Sequence, residues 1–182
     1  MIIAINSFSA LEFWRKARFL AGTDQYSFQS RSLASLPQKY VFKMTSKFAG
    51  FLADQLMLSK PLHVLSPTAE SRCRIANAIC NVRPKHLPDK SFVEIKFPGI
   101  PPGVKILMAS PELCFVQMAK FMSFEELLVL GYEFCGTYVL DKTADYGIRS
   151  RKPLTSVKSI NTFISSIRYI DGLSNARCAA CS

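Results

Sequence analysis

SFVEIKFPGIPPGVKILMASPELCFVQMAKFMSFEELLVLGYEF, residues 91–134, changes its pattern halfway along, and that change decides the fold class. Ser91 to Phe97 and Val104 to Met108 are short apolar runs flanking Pro98-Gly99-Ile100-Pro101-Pro102-Gly103. Two such runs around a turn-forming stretch predict an antiparallel hairpin with a long loop. The pattern breaks at Ser110-Pro111-Glu112. Ser110 suits a helix N-cap, Pro111 the first helical position, and Glu112 the positive end of the helix dipole. Cys114, Phe115, Met118, Ala119 and Met122 then share one broad face, which predicts a largely buried helix. Ser123-x-x-Glu126 is a capping box that opens a second helix to about Phe134. Helix, abrupt cap and helix make an αα corner at about 110–134.

Working outward, Met1 to Ile5 reads as a first buried strand, and Leu62 to Leu65 and Ile79 to Val82 as two more. Asn6-Ser7-Phe8-Ser9 offers caps for a helix from Ala10 to about Phe19, with Leu11, Trp14 and Ala17 on one face. Phe48 to Met57 predicts a short helix ended by Pro61, and Ser156 to Ile167 the last helix. Residues 22–47, with Leu33, Leu36, Tyr40 and Phe42 as scattered anchors, read as loop, as do residues 141–153. The expected fold is α/β of the α+β kind: a small mixed or antiparallel sheet with packed helices. Residues 1–145 are expected to form the central domain, and 146–182 a basic linker and helix leading to a missing or truncated C-terminal domain.

The chain has 182 residues, 49% of them hydrophobic, including fourteen Phe, which excludes disorder of the whole chain. No apolar run approaches the ~18–20 residues of a membrane span, and the N-terminus lacks the basic and apolar regions of a signal peptide. The expected setting is the reducing cytoplasm, with free thiols and no membrane partner. Of the six cysteines, Cys114 and Cys135 read as small core residues. Cys178-Ala-Ala-Cys181 with Cys73 and Cys80 is a candidate zinc set, but six residues separate the latter pair instead of the usual two to four. No metal and no cofactor is expected.

The formal net charge is +10, unevenly spread along the chain. Residues 1–60 carry eight basic and three acidic side chains, 61–109 seven and three, 110–146 two and six, and 147–182 six and one. Such a field attracts polyanions, though solubility alone is a competing reading. The candidate phosphate contacts are Arg15, Lys16 and Arg18, Arg72 and Arg74, Arg83 and Lys85, and Arg149, Arg151 and Lys152. Duplex DNA is the expected ligand.

Catalytic patterns were sought in the same residues. His63 lies in an apolar strand and reads as a buried, hydrogen-bonded side chain; His86 lies in a basic loop. No Gly-x-Ser-x-Gly elbow or Gly-rich phosphate loop occurs, and the adjacent Glu125 and Glu126 diverge on a helix. Glu94-x-Lys96 matches the end of a metal-dependent nuclease motif, but Asp89 stands only five residues upstream, across a turn. No catalytic residue is assigned, and a non-enzyme is expected.

Four stretches carry a family pattern: Ser9-Ala10-Leu11-x-Phe13-Trp14, residues 62–65, residues 110–119 and residues 130–138. With Ser110, Pro111, Glu112, Gly131, Gly136 and Tyr138 as its motif positions, the chain resembles the central domain of AbiEi-type antitoxin-like bacterial regulators. These include endonuclease-domain-linked actinobacterial relatives. The resemblance spans roughly residues 1–175 and implies DNA binding, autoregulation and a cognate nucleotidyltransferase toxin as partner. It departs from the family in two places: no winged helix precedes the first helix, and the chain stops about where relatives continue toward a nuclease-like domain. A protein-interaction module using the acidic 110–146 corner, and a truncated nuclease-like remnant, are the alternatives.

Overall fold

The computed structural model describes residues 1–20, 32–141, 143–144, 146–168 and 170–181; of residues 18–20 and 32 it describes only the backbone. The chain forms two compact units, Met1–Phe13 with Ser27–Ser110, and Trp14–Tyr26 with Pro111–Ser182. The second change of unit along the chain falls after Ser110.

The first unit is built on a six-stranded mixed sheet. Its strands are β1 (Ile2–Ile5), β2 (Ser32–Ala34), β3 (Leu62–Ser66), β4 (Ala78–Val82), β5 (Phe92–Ile95) and β6 (Lys105–Ala109), in the order β2-β5-β6-β1-β3-β4. The expected hairpin is present, with Phe92 opposite Ala109 and Ile95 opposite Ile106. β1 runs parallel to β6 and antiparallel to β3, and β3 runs parallel to β4. The two central parallel strands are the most continuously apolar, and Ile3 to Ile5 and Ile106 to Ala109 are buried throughout. That pattern belongs to strands covered on both faces. The edge strands read differently: Leu33 on β2 is 61% exposed, so it is no anchor, while Leu36 is buried.

Helix α1 (Ser7–Leu20) starts three residues before the expected Ala10, because Ser7 at φ 52° turns the chain directly out of β1. Leu11, Trp14 and Ala17 are buried as their spacing requires. Helix α2 (Ser46–Gln55) is capped by Thr45, whose hydroxyl accepts from the Phe48 N–H. It ends well before Pro61, at Leu56. The stretch read as loop over 22–47 thus contains β2 and the start of α2; its residues 22–31 lie outside those described.

The second unit opens with the αα corner: α3 (Pro111–Met118) and α4 (Phe124–Cys135). The capping box forms in full, with Ser123 Oγ accepting from Glu126 N (3.2 Å) and Glu126 Oε2 from Ser123 N (2.8 Å). Two corrections follow downstream. β7 (Tyr138–Leu140) and β8 (Ile148–Ser150) pair antiparallel, so the expected loop at 141–153 holds a strand. Helix α5 (Val157–Ser166), capped by Ser156, is followed by a further helix, α6 (Leu173–Cys181). That helix buries only Leu173, Ala176 and Ala179, a stripe too small in volume to show as apolar periodicity. Among the described residues no helix is long and apolar enough to cross a membrane.

Candidate nucleic-acid interface

The two units divide the charge unequally. The sheet unit contains twelve Lys and Arg against five Asp and Glu; the helical unit contains eleven against eight. The few carboxylates of the sheet unit are engaged locally. Glu12 accepts from the Ser59 N–H and hydroxyl (2.9 and 3.0 Å), Asp54 pairs with Lys60 (2.8 Å), and Asp89 accepts from the Ser35 hydroxyl (3.2 Å).

Arg72, Arg74, Arg83 and Lys85 surround strand β4. An antiparallel bridge between Ile75 and Ala78 turns the chain into β4, with residues 72–74 just before the turn. Arg72 is exposed, donates to the Ala69 carbonyl (Nε to O, 3.3 Å) and helps hold the nearby Glu70 carboxyl below its usual range. Arg74 and Lys85 are exposed and, among the described residues, have no carboxylate partner. Arg83 has a different role. Its guanidinium donates to the carbonyls of Pro84 (2.9 Å), Lys85 (3.3 Å) and Leu36 (3.3 Å), tying residue 36 to the end of β4. Burial lowers its pKa, and its Nε is buried with no hydrogen-bond partner. Tyr40 is fixed at the same end by donating to the Leu65 carbonyl (2.8 Å), and burial raises its pKa. Lys39, between these two anchors, is exposed. It was not among the sequence candidates, since nothing local links residue 39 to residue 83.

In the helical unit two of the candidate cations, Arg15 and Arg149, are held by carboxylates. Arg15 makes a bidentate pair with Glu133, Nε to Oε1 at 2.9 Å and Nη2 to Oε2 at 3.0 Å. Arg149 Nε pairs with Asp141 Oδ2 (2.8 Å) inside the hairpin. Asp141 is buried and its carboxyl is held below the usual range, first by the Thr143 hydroxyl and N–H, then by Arg149 and Arg151. Arg151 and Lys16 are half-buried, Lys152 is exposed, and the Arg18 side chain lies outside those described.

The family-motif positions have structural placements. Ser110 and Pro111 are buried at the start of α3, and Glu112 accepts from the Thr155 hydroxyl. Gly131 packs against Phe115, and both line a cavity of about 460 Å³ together with apolar groups including Leu128, Val157, Ile160 and Ala179. Gly136 caps α4 by donating to the Tyr132 carbonyl (2.8 Å), and Tyr138 stands exposed on β7. An apolar cavity of this kind offers no phosphate site.

His63 is half-buried on β3, its ring against Phe8 (centroids 5.4 Å apart), and burial lowers its pKa. Cys114 is fully buried, whereas Cys135 is only half-buried and Cys178 and Cys181 are exposed. Among the described residues no group of three or more His, Cys, Asp or Glu is placed to hold a metal ion. Compared with known proteins, the chain matches no protein-family model, no curated protein and no solved structure.

Proposed function

We propose that this chain is a non-enzymatic, nucleic-acid-binding regulator of the antitoxin-like kind it resembles, acting in the cytoplasm, with its phosphate contacts on the sheet unit. The observation that carries the reading is the pairing contrast. Among the described residues Lys39, Arg74 and Lys85 are exposed without carboxylate partners, while Arg15 and Arg149 of the helical unit are paired with Glu133 and Asp141. Unpaired surface cations condense phosphates with release of counterions, whereas paired ones gain little by exchanging one anion for another. Binding of a labelled duplex by fluorescence anisotropy is the test: affinity should be greatest at about 50 mM salt, and no detectable binding there refutes the proposal.

A second reading, a protein-interaction module, is favoured by the β7–β8 hairpin. Its outward face exposes Tyr138, Leu140 and Ile148, and Tyr146 near its turn is 93% exposed. Aromatic and aliphatic side chains of this kind anchor protein interfaces, and a cognate toxin or a further C-terminal domain is the partner proposed. Co-purification from the native host, lost on replacing Leu140 and Tyr146 with Ser, would support it; unchanged co-purification would exclude the hairpin.

A further inference from the structure

Cys73 and Cys80 are separated by six residues, yet the fold sets them face to face. The Ile75–Ala78 bridge, closed by the Ala78 N–H donating to the Ile75 carbonyl (3.3 Å), fixes an antiparallel pairing. Continued by two residues, that pairing places position 73 opposite position 80 on β4. Directly opposed residues in an antiparallel pair have Cα atoms about 4.5–5.5 Å apart, within the span a disulfide bridges. The two cysteines lie within range of each other, the side chain and backbone of Cys73 both acting on the Cys80 thiol. Both thiols are free and half-buried, which leaves them open to small reagents.

We propose that Cys73 and Cys80 form a reversible disulfide site, oxidised by low-molecular-weight disulfides such as oxidised glutathione. Cys80, its pKa pushed up to about 12 mainly by burial and the Cys73 contact, keeps its proton. Cys73 is therefore the attacking sulfur. Its thiolate attacks one sulfur of the oxidised glutathione, forming a mixed disulfide and expelling one glutathione thiolate. Cys80 then gives its proton to solvent and attacks the Cys73 sulfur, expelling the second glutathione thiolate. Two protein thiols are oxidised and one glutathione disulfide is reduced to two glutathione thiols, so the exchange balances without another reagent. The bridge clamps residues 72–74 onto β4, fixing the two arginines beside it. Its formation does not depend on whether the chain binds DNA.

The test equilibrates the full chain in glutathione buffers from reducing to oxidising, quenches with an alkylating agent, and maps the cysteines by mass spectrometry. The folded chain should lose two hydrogens and yield a peptide in which Cys73 is joined to Cys80, reversibly on adding reduced glutathione. Cys80→Ser should accumulate a lasting glutathione adduct at Cys73, because the resolving thiol is gone. Recovery of Cys73 and Cys80 as free thiols, or as two separate adducts, in the most oxidising buffer while circular dichroism stays native would overturn the proposal. A Cys80→Ser chain that keeps its fold but takes no adduct at Cys73 would overturn the order of attack. Anisotropy on the oxidised and reduced chains separates the two ideas: loss of DNA binding in both forms, with the disulfide mapped, refutes only the functional reading.

Discussion

Neutralising Arg74 and Lys85 together tests the interface at the level of side chains. Four cations stand along β4 and at its C-terminal end: Lys39, Arg72, Arg74 and Lys85. If each neutralises one phosphate, log K falls with log salt at a slope of about −0.9 per contact, or about −3.6 in all. Raising salt from about 50 to about 200 mM then weakens binding about 150-fold. The Arg74→Gln, Lys85→Gln chain retains two contacts, so its slope halves to about −1.8 and the same salt step costs only about 12-fold. Arg15→Gln is the control, since Glu133 already balances that charge through two hydrogen bonds. It should leave the slope in place while costing less than about 1 kcal/mol of stability, because the pair is partly exposed. Anisotropy titrations of each chain at four or more salt concentrations give the slopes. A double variant with the parental slope, or an Arg15→Gln chain with a flattened one, would refute placement of the interface on β4.

Three further outcomes rest on local geometry. Gly172, at φ +86°, has no room for a Cβ, which would lie 2.6 Å from the Lys120 nitrogen and 2.8 Å from the Ala119 carbonyl carbon. Gly172→Ala should cost at least about 3 kcal/mol, against about 1 for Gly147→Ala, where φ is +68° and nothing lies near. Urea denaturation followed through Trp14, in the same unit, measures both, and equal costs would contradict the clash. Ser123→Ala removes an N-cap and its half of the capping box, and should lower stability by about 1 kcal/mol in the same assay. His63, its pKa lowered by burial, folds best when neutral. Its contribution is complete above its unfolded value near 6.5 and is lost as pH falls through the lower folded value. An NMR titration of its ring protons with a midpoint at or above 6.5 would show that burial does not act on it as described.

The corner at 110–134 was readable because every signal in it is local: a proline at the first helical position, then a serine and a glutamate three apart. The same holds for the 92–109 hairpin, whose strands are joined by a turn-forming run. The pairing of β1 with β6 was not readable, since residues 2 and 105 are neighbours only through long-range packing of two apolar runs. β8 escaped because three residues, Ile148-Arg149-Ser150, carry almost no period, and α6 because its buried stripe is mostly alanine. Of the interface cations, the sequence singled out all but Lys39, and which candidates were already paired depended on contacts such as Arg15 to Glu133, 118 positions apart.

That dependence changes what the charge pattern means. Along the chain, an acidic stretch at 110–146 stands between basic flanks, which suggests opposed faces of one body. In the fold those stretches pair with each other: Arg149 from the basic tail holds Asp141, Asp171 from the tail holds Lys120 (2.8 Å), and Arg15 from the N-terminal stretch holds Glu133. These pairs cancel part of the linear segregation within the helical unit, where Lys152, Lys158, Arg168 and Arg177 stay exposed. The larger excess belongs to the sheet unit, where twelve cations face five carboxylates, against eleven and eight in the helical unit. A polyanion gains most where cations lack protein partners, because each contact there adds neutralisation instead of displacing an existing pair. The unpaired exposed cations around β4, more than the net charge of the chain, are what commit the reading to that strand.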